Sequence, residues 1–109
     1  MNDFKWSGAE KQVAKQAFHA ALEREYGKIM RQTREMVGKM REGADLWRVH
    51  DFLTDKRREI DEKYDYRYSQ LIMVFARLIH QGWLSLEELE GLHEDKLAKI
   101  RLILSLARQ

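Results

Sequence analysis

Apolar residues recur at helical spacing through the first third of the chain, at Val13, Ala17, Phe18, Ala21, Leu22, Ile29, Met36, Val37 and Met40. Residues three or four apart share a helix face, so the spacing predicts one long amphipathic helix. Ser7 and Glu10 form a capping-box pattern, in which the serine oxygen accepts an early backbone N–H and the glutamate reaches back to the cap. Gly43 ends the periodicity. A helix from near Ser7 to near Glu42 would be roughly 50 Å long, more than a compact domain of this chain length spans. Gly27 and Gly38 weaken it, each by about 1 kcal/mol relative to alanine. Leu22, Ile29 and Met36 lie seven residues apart and make a narrow, coiled-coil-like seam. The far end of such a helix needs cover, and a second copy of the chain is the expected source.

A second helix is expected to open with Asp45 as its N-cap and to bury Leu46, Val49, Phe52, Leu53 and Ile60. Tyr64, Tyr66 and Tyr68 mark a break or bend. The run Leu71, Ile72, Val74, Phe75, Leu78 and Ile79 is apolar nearly all round, as in a helix at the centre of a bundle. Gln81 and Gly82 close it. Ser85 and Glu88 repeat the capping-box pattern around Leu86, Leu89 and Leu92, and Glu94 with Asp95 opens a last helix carrying Leu97, Ile100, Leu104 and Leu106. No strand pattern or repeat occurs. The fold class is all-α, with a single domain over residues 1–109.

Composition narrows what such a helical chain can do. With 109 residues and no cysteine, it can hold one core but no disulfide, thiolate zinc site or cysteine nucleophile. A reducing cytoplasm is the default compartment. Twenty basic and 18 acidic residues leave a net charge of +2, and the two signs alternate, which argues against a nucleic-acid partner. The longest apolar run falls far short of the ~20 residues that cross a bilayer, so no transmembrane segment is expected. The N-terminal MNDFKWS lacks the basic-then-apolar order of a signal peptide.

Enzyme motifs fail on count. Glu90 and His93 have the Glu-x-x-His spacing of carboxylate-bridged di-iron bundles, but such sites need a second pair and two further glutamates. His19 and Glu23 supply two ligands where a metal site needs more. There is no glycine-rich phosphate loop and no nucleophile elbow. No catalytic activity, metal, flavin or self-bound carotenoid is expected.

The segment from Asp45 to Ser69 is the exception to this plainness. On a helix Trp47, His50 and Asp51 fall at i, i+3 and i+4, which gathers a large ring, an imidazole and a carboxylate on one face. Tryptophan beside Arg48 favours an interface anchor, while tryptophan is also usually mostly buried, so core and anchor both stay open. Lys56, Arg57 and Arg58 beside Asp55, Glu59 and Asp61 read as a solvated face held by pairs a turn apart. The tyrosines at 64, 66 and 68 are expected to pack between helices.

The stretch DLWRVHDFLTDKRREIDEKYDYRYS, with VFA at Val74 to Ala76 and EDKLAKI at Glu94 to Ile100, closely resembles the fluorescence recovery proteins of cyanobacteria. The resemblance covers most of the chain. It implies long N-terminal helices in residues 1–64 that form a homodimer, and a compact helical head in residues 65–109. It also implies a non-enzymatic regulator that binds the C-terminal domain of photoactivated, red orange carotenoid protein and speeds its return to the orange form. That ends phycobilisome fluorescence quenching and places the protein in the cytoplasm, peripheral at the thylakoid surface. Position by position, the partner-binding patch corresponds to Trp47, His50, Asp51 and Arg57, with Met73 and Lys99 on the head and Leu46 at the dimer contact beside the Leu22, Ile29 and Met36 seam. Met73 stands where phenylalanine is expected, Glu62 stands where glycine is expected, and the tail from Arg101 runs longer. The departures leave a second reading, a dimeric helical scaffold or regulator of the same family whose partner is unrelated to photoprotection.

Overall fold

The computed structural model describes residues 4–108 and is all-α, as the periodicity predicts. Residues 1–3 of the N-terminal stretch and residue 109 of the tail lie outside the described residues. The elements are α1 (Gly8–Gly38), α2 (Gly43–Lys63), α3 (Leu71–His80), a single 3-10 turn (Leu86–Leu89) and α4 (Glu94–Ala107). Among the described residues no helix is long and apolar enough to cross a membrane.

Both capping boxes form. The Glu10 backbone donates to Ser7 Oγ at 3.2 Å while the Ser7 N–H donates to Glu10 at 3.0 Å, and Ser85 and Glu88 bracket the 3-10 turn in the same way. Helix α1 ends at Gly38, short of Glu42, where the Lys39 N–H turns back onto the last carbonyls. Gly43 therefore opens α2 rather than closing α1. Asp45 is not the N-cap but the third residue of α2, one turn inside Glu42, whose extended backbone makes it the cap. The Asp45 carboxylate accepts from the N–H groups of Arg41 and Glu42 at 2.8 and 3.2 Å, which lowers its pKa.

The core centres on α3. Leu71, Ile72, Val74, Phe75, Ala76 and Leu78 are buried there, and Leu84, Leu89, Leu92, Ile100 and Leu104 close around them. Ala14, Ala17 and Ala21 belong to the same cluster. These alanines form one small-residue stripe on α1, which lets its N-terminal half press against the head. The head thus draws on both sides of residue 64. Helix α3 ends at Gly82 (φ +86°), with the Trp83 N–H donating to Leu78 at 2.9 Å and the Gly82 N–H to Ile79 at 3.0 Å. That is the paired closure a helix makes over a left-handed glycine. Gly91 has φ +111°, and a Cβ there would meet Val13 Cγ2 at 2.8 Å. Only glycine lets this loop approach α1.

Buried charge ties the head to α1. Glu10 accepts from the backbone N–H of Ser7 and, at 2.9 Å, of His93. Lys96 places its Nζ 2.9 Å from the same carboxylate and donates to the Lys5 carbonyl at 2.7 Å. Burial would raise the Glu10 pKa, but the donors from Ser7, His93 and Lys96 outweigh it and hold the carboxyl at about 2. Further along α1, Arg24 grips both carboxylate oxygens of Glu88 and the Trp83 carbonyl. The next residue, Glu25, accepts from Lys63 Nζ at 2.7 Å and from the Tyr64 hydroxyl at 2.9 Å, while Lys63 also donates to Gln81 at 2.7 Å.

Beyond the head the chain is a thin hairpin of α1 against α2. Its radius of gyration is 17.0 Å, with extents of 54 × 33 × 24 Å, whereas a compact domain of this length has about 13 Å. Leu22, Ile29 and Met36 are half-buried, and Ile29 borders a cleft shared with Leu53 and Ile60 of α2. Tyr26, Met30 and Val37 remain exposed beside them. Leu46 and Leu53, expected on the buried side of α2, are exposed, as is Leu106 of α4. Helical spacing identified these faces, but among the described residues the face of α2 is covered only in part by α1, and these leucines are left in solvent.

Candidate partner-binding surface on the second helix

Helix α2 carries a face that the fold does not use. Trp47 is 65% exposed, which settles its position as outside the core. Its ring meets His50 edge-on with centroids 6.1 Å apart, the contact that i, i+3 spacing allows. His50 Nδ1 lies 3.4 Å from Asp51 Oδ1, and both side chains are solvated. About two turns beyond His50, the Arg57 side chain is 84% exposed, with Nε 3.7 Å from Asp61. Lys56 with Glu59 and Arg58 with Asp55 complete a face of short-range pairs, as the charge pattern predicts. Exposed pairs of this kind contribute little to stability.

His50 and Arg57 share an open stretch of the α2 surface with Leu53, Thr54, Arg58, Asp61 and Glu62, all on one helix. Its apolar strip is Leu53, and its edges carry both charge signs. Such a surface offers charge-assisted hydrogen-bond donors and acceptors beside the exposed indole of Trp47. Leu53, Thr54 and Asp61 were not named for this surface from the sequence, which placed Leu53 on the buried side of α2 and Asp61 among the solvated pairs. Their signal was present, since positions 50, 53, 54, 57 and 61 fall on one helix face.

The profile described as "Photoprotection regulator fluorescence recovery protein" matches residues 6–104, which takes in both this face and the head. The chain belongs to the fluorescence recovery protein family. It is 42% identical over 98 residues to the fluorescence recovery protein of Synechocystis sp., covering 90% of each chain. The structure of the Fremyella diplosiphon fluorescence recovery protein is 50% identical and matches with a TM-score of 0.84, over 96% of this chain and 100% of that one. The Synechocystis sp. PCC 6803 structure is 42% identical, with a TM-score of 0.85 and the same coverage. The chain is thus a photoprotection regulator by family, built on the fluorescence recovery protein fold.

Against that fold, the head residues named from sequence are also at the surface. Met73 is 56% exposed on α3, sharing its outer face with Arg77 and His80, and Lys99 is exposed on α4. They lie on the head, apart from the Trp47 to Arg57 face of the hairpin. Glu62, expected from the resemblance to be glycine, receives Arg77 Nη1 at 3.5 Å and adds a carboxylate beside Arg58 and Asp61. Both partners are solvated, so this link between α2 and α3 is weak. Among the described residues no three His, Asp or Glu side chains cluster closely enough to hold a metal ion.

Proposed function

We propose that this protein binds the photoactivated, red form of orange carotenoid protein at its C-terminal domain and accelerates its return to the orange form, ending phycobilisome fluorescence quenching. It acts without chemistry of its own, in the cytoplasm and peripherally at the thylakoid surface. The observation that carries the reading is Trp47, an exposed indole flanked by His50, Asp51 and Arg57 on a face that stability does not require. Exposed aromatic anchors ringed by charge are the composition of binding hot spots.

A binder that speeds another protein's relaxation must hold the transition state for closure more tightly than the red state it first meets, and must then release the product. Trp47 supplies the anchor in this reading. Asp51 and Arg57 fix orientation, and Met73 and Lys99 contact a second region of the target. The working unit is a homodimer joined along the hairpin, where Leu22, Ile29, Met36 and Leu46 meet a second copy. Its support is the exposed apolar surface of a thin hairpin, which one chain alone leaves in water.

The experiment mixes the protein with photoconverted orange carotenoid protein and follows the dark return of the orange absorption spectrum. Acceleration at substoichiometric protein is expected. An unchanged recovery rate at molar excess would sink the proposal.

A further inference from the structure

A groove of about 620 Å³ lies against the N-terminal half of α1, on residues that the Trp47 face does not include. Lys11, Lys15 and His19 stand one turn apart along its α1 wall, all exposed. Its other wall is aromatic. Phe18 meets Tyr66 at 4.8 Å and Tyr66 meets Tyr68 at 5.7 Å, both edge-on, and Tyr68 packs on Trp6 at 5.5 Å. Lys11 holds its ammonium 5.2 Å from the Tyr68 ring centre.

Two features set this groove apart from the rest of the surface. The chain as a whole carries 18 acidic residues against 20 basic ones, yet among the described residues no carboxylate lines this groove. Of the two acids adjacent in sequence, Glu10 is buried against Lys96 at 2.9 Å and Asp65 is held by Arg67 Nε at 2.8 Å, while Glu23 stands one turn beyond His19, outside the groove. The aromatic wall is also preassembled, because each ring is fixed by its neighbours and a ligand need order little on arrival.

We propose that this groove docks an acidic segment of a protein partner, one that carries an aromatic or aliphatic side chain among its carboxylates. The apolar side chain lies across Phe18, Tyr66 and Tyr68 while the carboxylates pair with Lys11 and Lys15. A nucleic acid fits less well, since strong binding to phosphate backbones rests on roughly six to ten cationic contacts. The groove offers two lysines and one histidine. The site is separate from the Trp47 face and does not depend on the function proposed for it.

The test is an NMR titration of the isotope-labelled full chain with a capped, glutamate-rich peptide bearing one central phenylalanine. Saturable shifts confined to Lys11, Lys15, His19, Tyr66, Tyr68 and their neighbours are expected, with affinity falling as salt is added. Lys11→Glu combined with Lys15→Glu should weaken binding by about tenfold or more with an unchanged melting temperature, since both side chains are solvated. Trp47→Ala should leave peptide binding unchanged, which separates this site from the other. The proposal is overturned by any of four results: no saturable shifts at millimolar peptide, shifts mapping to His50 and Arg57 instead, equal binding of a lysine-rich peptide, or tighter binding of oligothymidylate in the same groove.

Discussion

Lys96 of α4 buries its ammonium against Glu10 of α1, Nζ to Oε2 at 2.9 Å, with each side chain only 1% exposed. Removing one member of such a pair strands the other charge in the core, which costs about 3–5 kcal/mol. Lys96→Met is therefore expected to destabilise the fold by about 3 kcal/mol in urea titrations. Glu10→Leu with Lys96→Met should recover only part of this, because Glu10 also caps the N–H groups of Ser7 and His93.

The same carboxylate predicts an acid transition. Glu10 is held at about 2 by its donors against the opposing effect of burial, and Glu88 is lowered to about 2, chiefly by the hydrogen bonds from Arg24. A depressed carboxyl stabilises the fold above its unfolded pKa, here 4.5, and loses that contribution as pH falls through the folded value. The melting temperature should be nearly flat above about pH 5 and should decline steadily towards pH 2. Glu88→Gln should flatten part of that slope in a calorimetric series. An unchanged slope in that variant would assign the acid response elsewhere.

Gly91 and Gly82 both have positive φ, but only Gly91 is also crowded, by Val13. Gly91→Ala combines backbone strain with a clash and is expected to cost about 2–3 kcal/mol. Gly82→Ala, facing open space, should cost about 1 kcal/mol. Equal losses in thermal denaturation would contradict the close approach to α1.

At the Trp47 face, stability and activity should part. Trp47→Ala is expected to weaken partner binding by roughly 2 kcal/mol or more, and Asp51→Leu to abolish acceleration, with both variants melting close to the wild type because both side chains are solvated. If Trp47→Ala unfolds the protein while Asp51→Leu keeps full activity, recognition belongs to the head around Lys99.

Leu46 is 53% exposed in the single chain, so a charge there does not disturb the protomer. Leu46→Glu should yield folded monomers by light scattering, where the wild type is expected to run as a dimer at tens of micromolar, a range typical of assays for marginal interfaces. A wild type that is already monomeric there removes the basis for the dimer.

What the sequence revealed was local. Ser7 with Glu10 and Ser85 with Glu88 could be read as caps because donor and acceptor lie three residues apart. The apolar run at Leu71 to Ile79 announced a central helix in the same way. Lys96 could not be read as Glu10's partner, since a lysine on a helix reads as solvated until the topology brings a buried carboxylate to it. Leu46, Leu53 and Leu106 show the converse limit: periodicity tells which residues share a face, and only the assembled chain tells whether anything lies against it. Asp45 was displaced from the cap because the backbone turns at Glu42, a choice between two acids three residues apart that side-chain type alone does not decide.

Arg24 and Glu25 are neighbours on one turn of α1, yet one grips Glu88 and the Trp83 carbonyl in the head while the other holds Lys63 and Tyr64 where α2 ends. Tilting the head against the hairpin would have to break one grip or the other. The two grips thus tie the head and the end of α2 to one turn of α1, a set square in which the buried Lys63–Glu25 contact is the firmer corner. On the function proposed above, a target held at both arms would have to adjust its own domains to the angle that two consecutive side chains set.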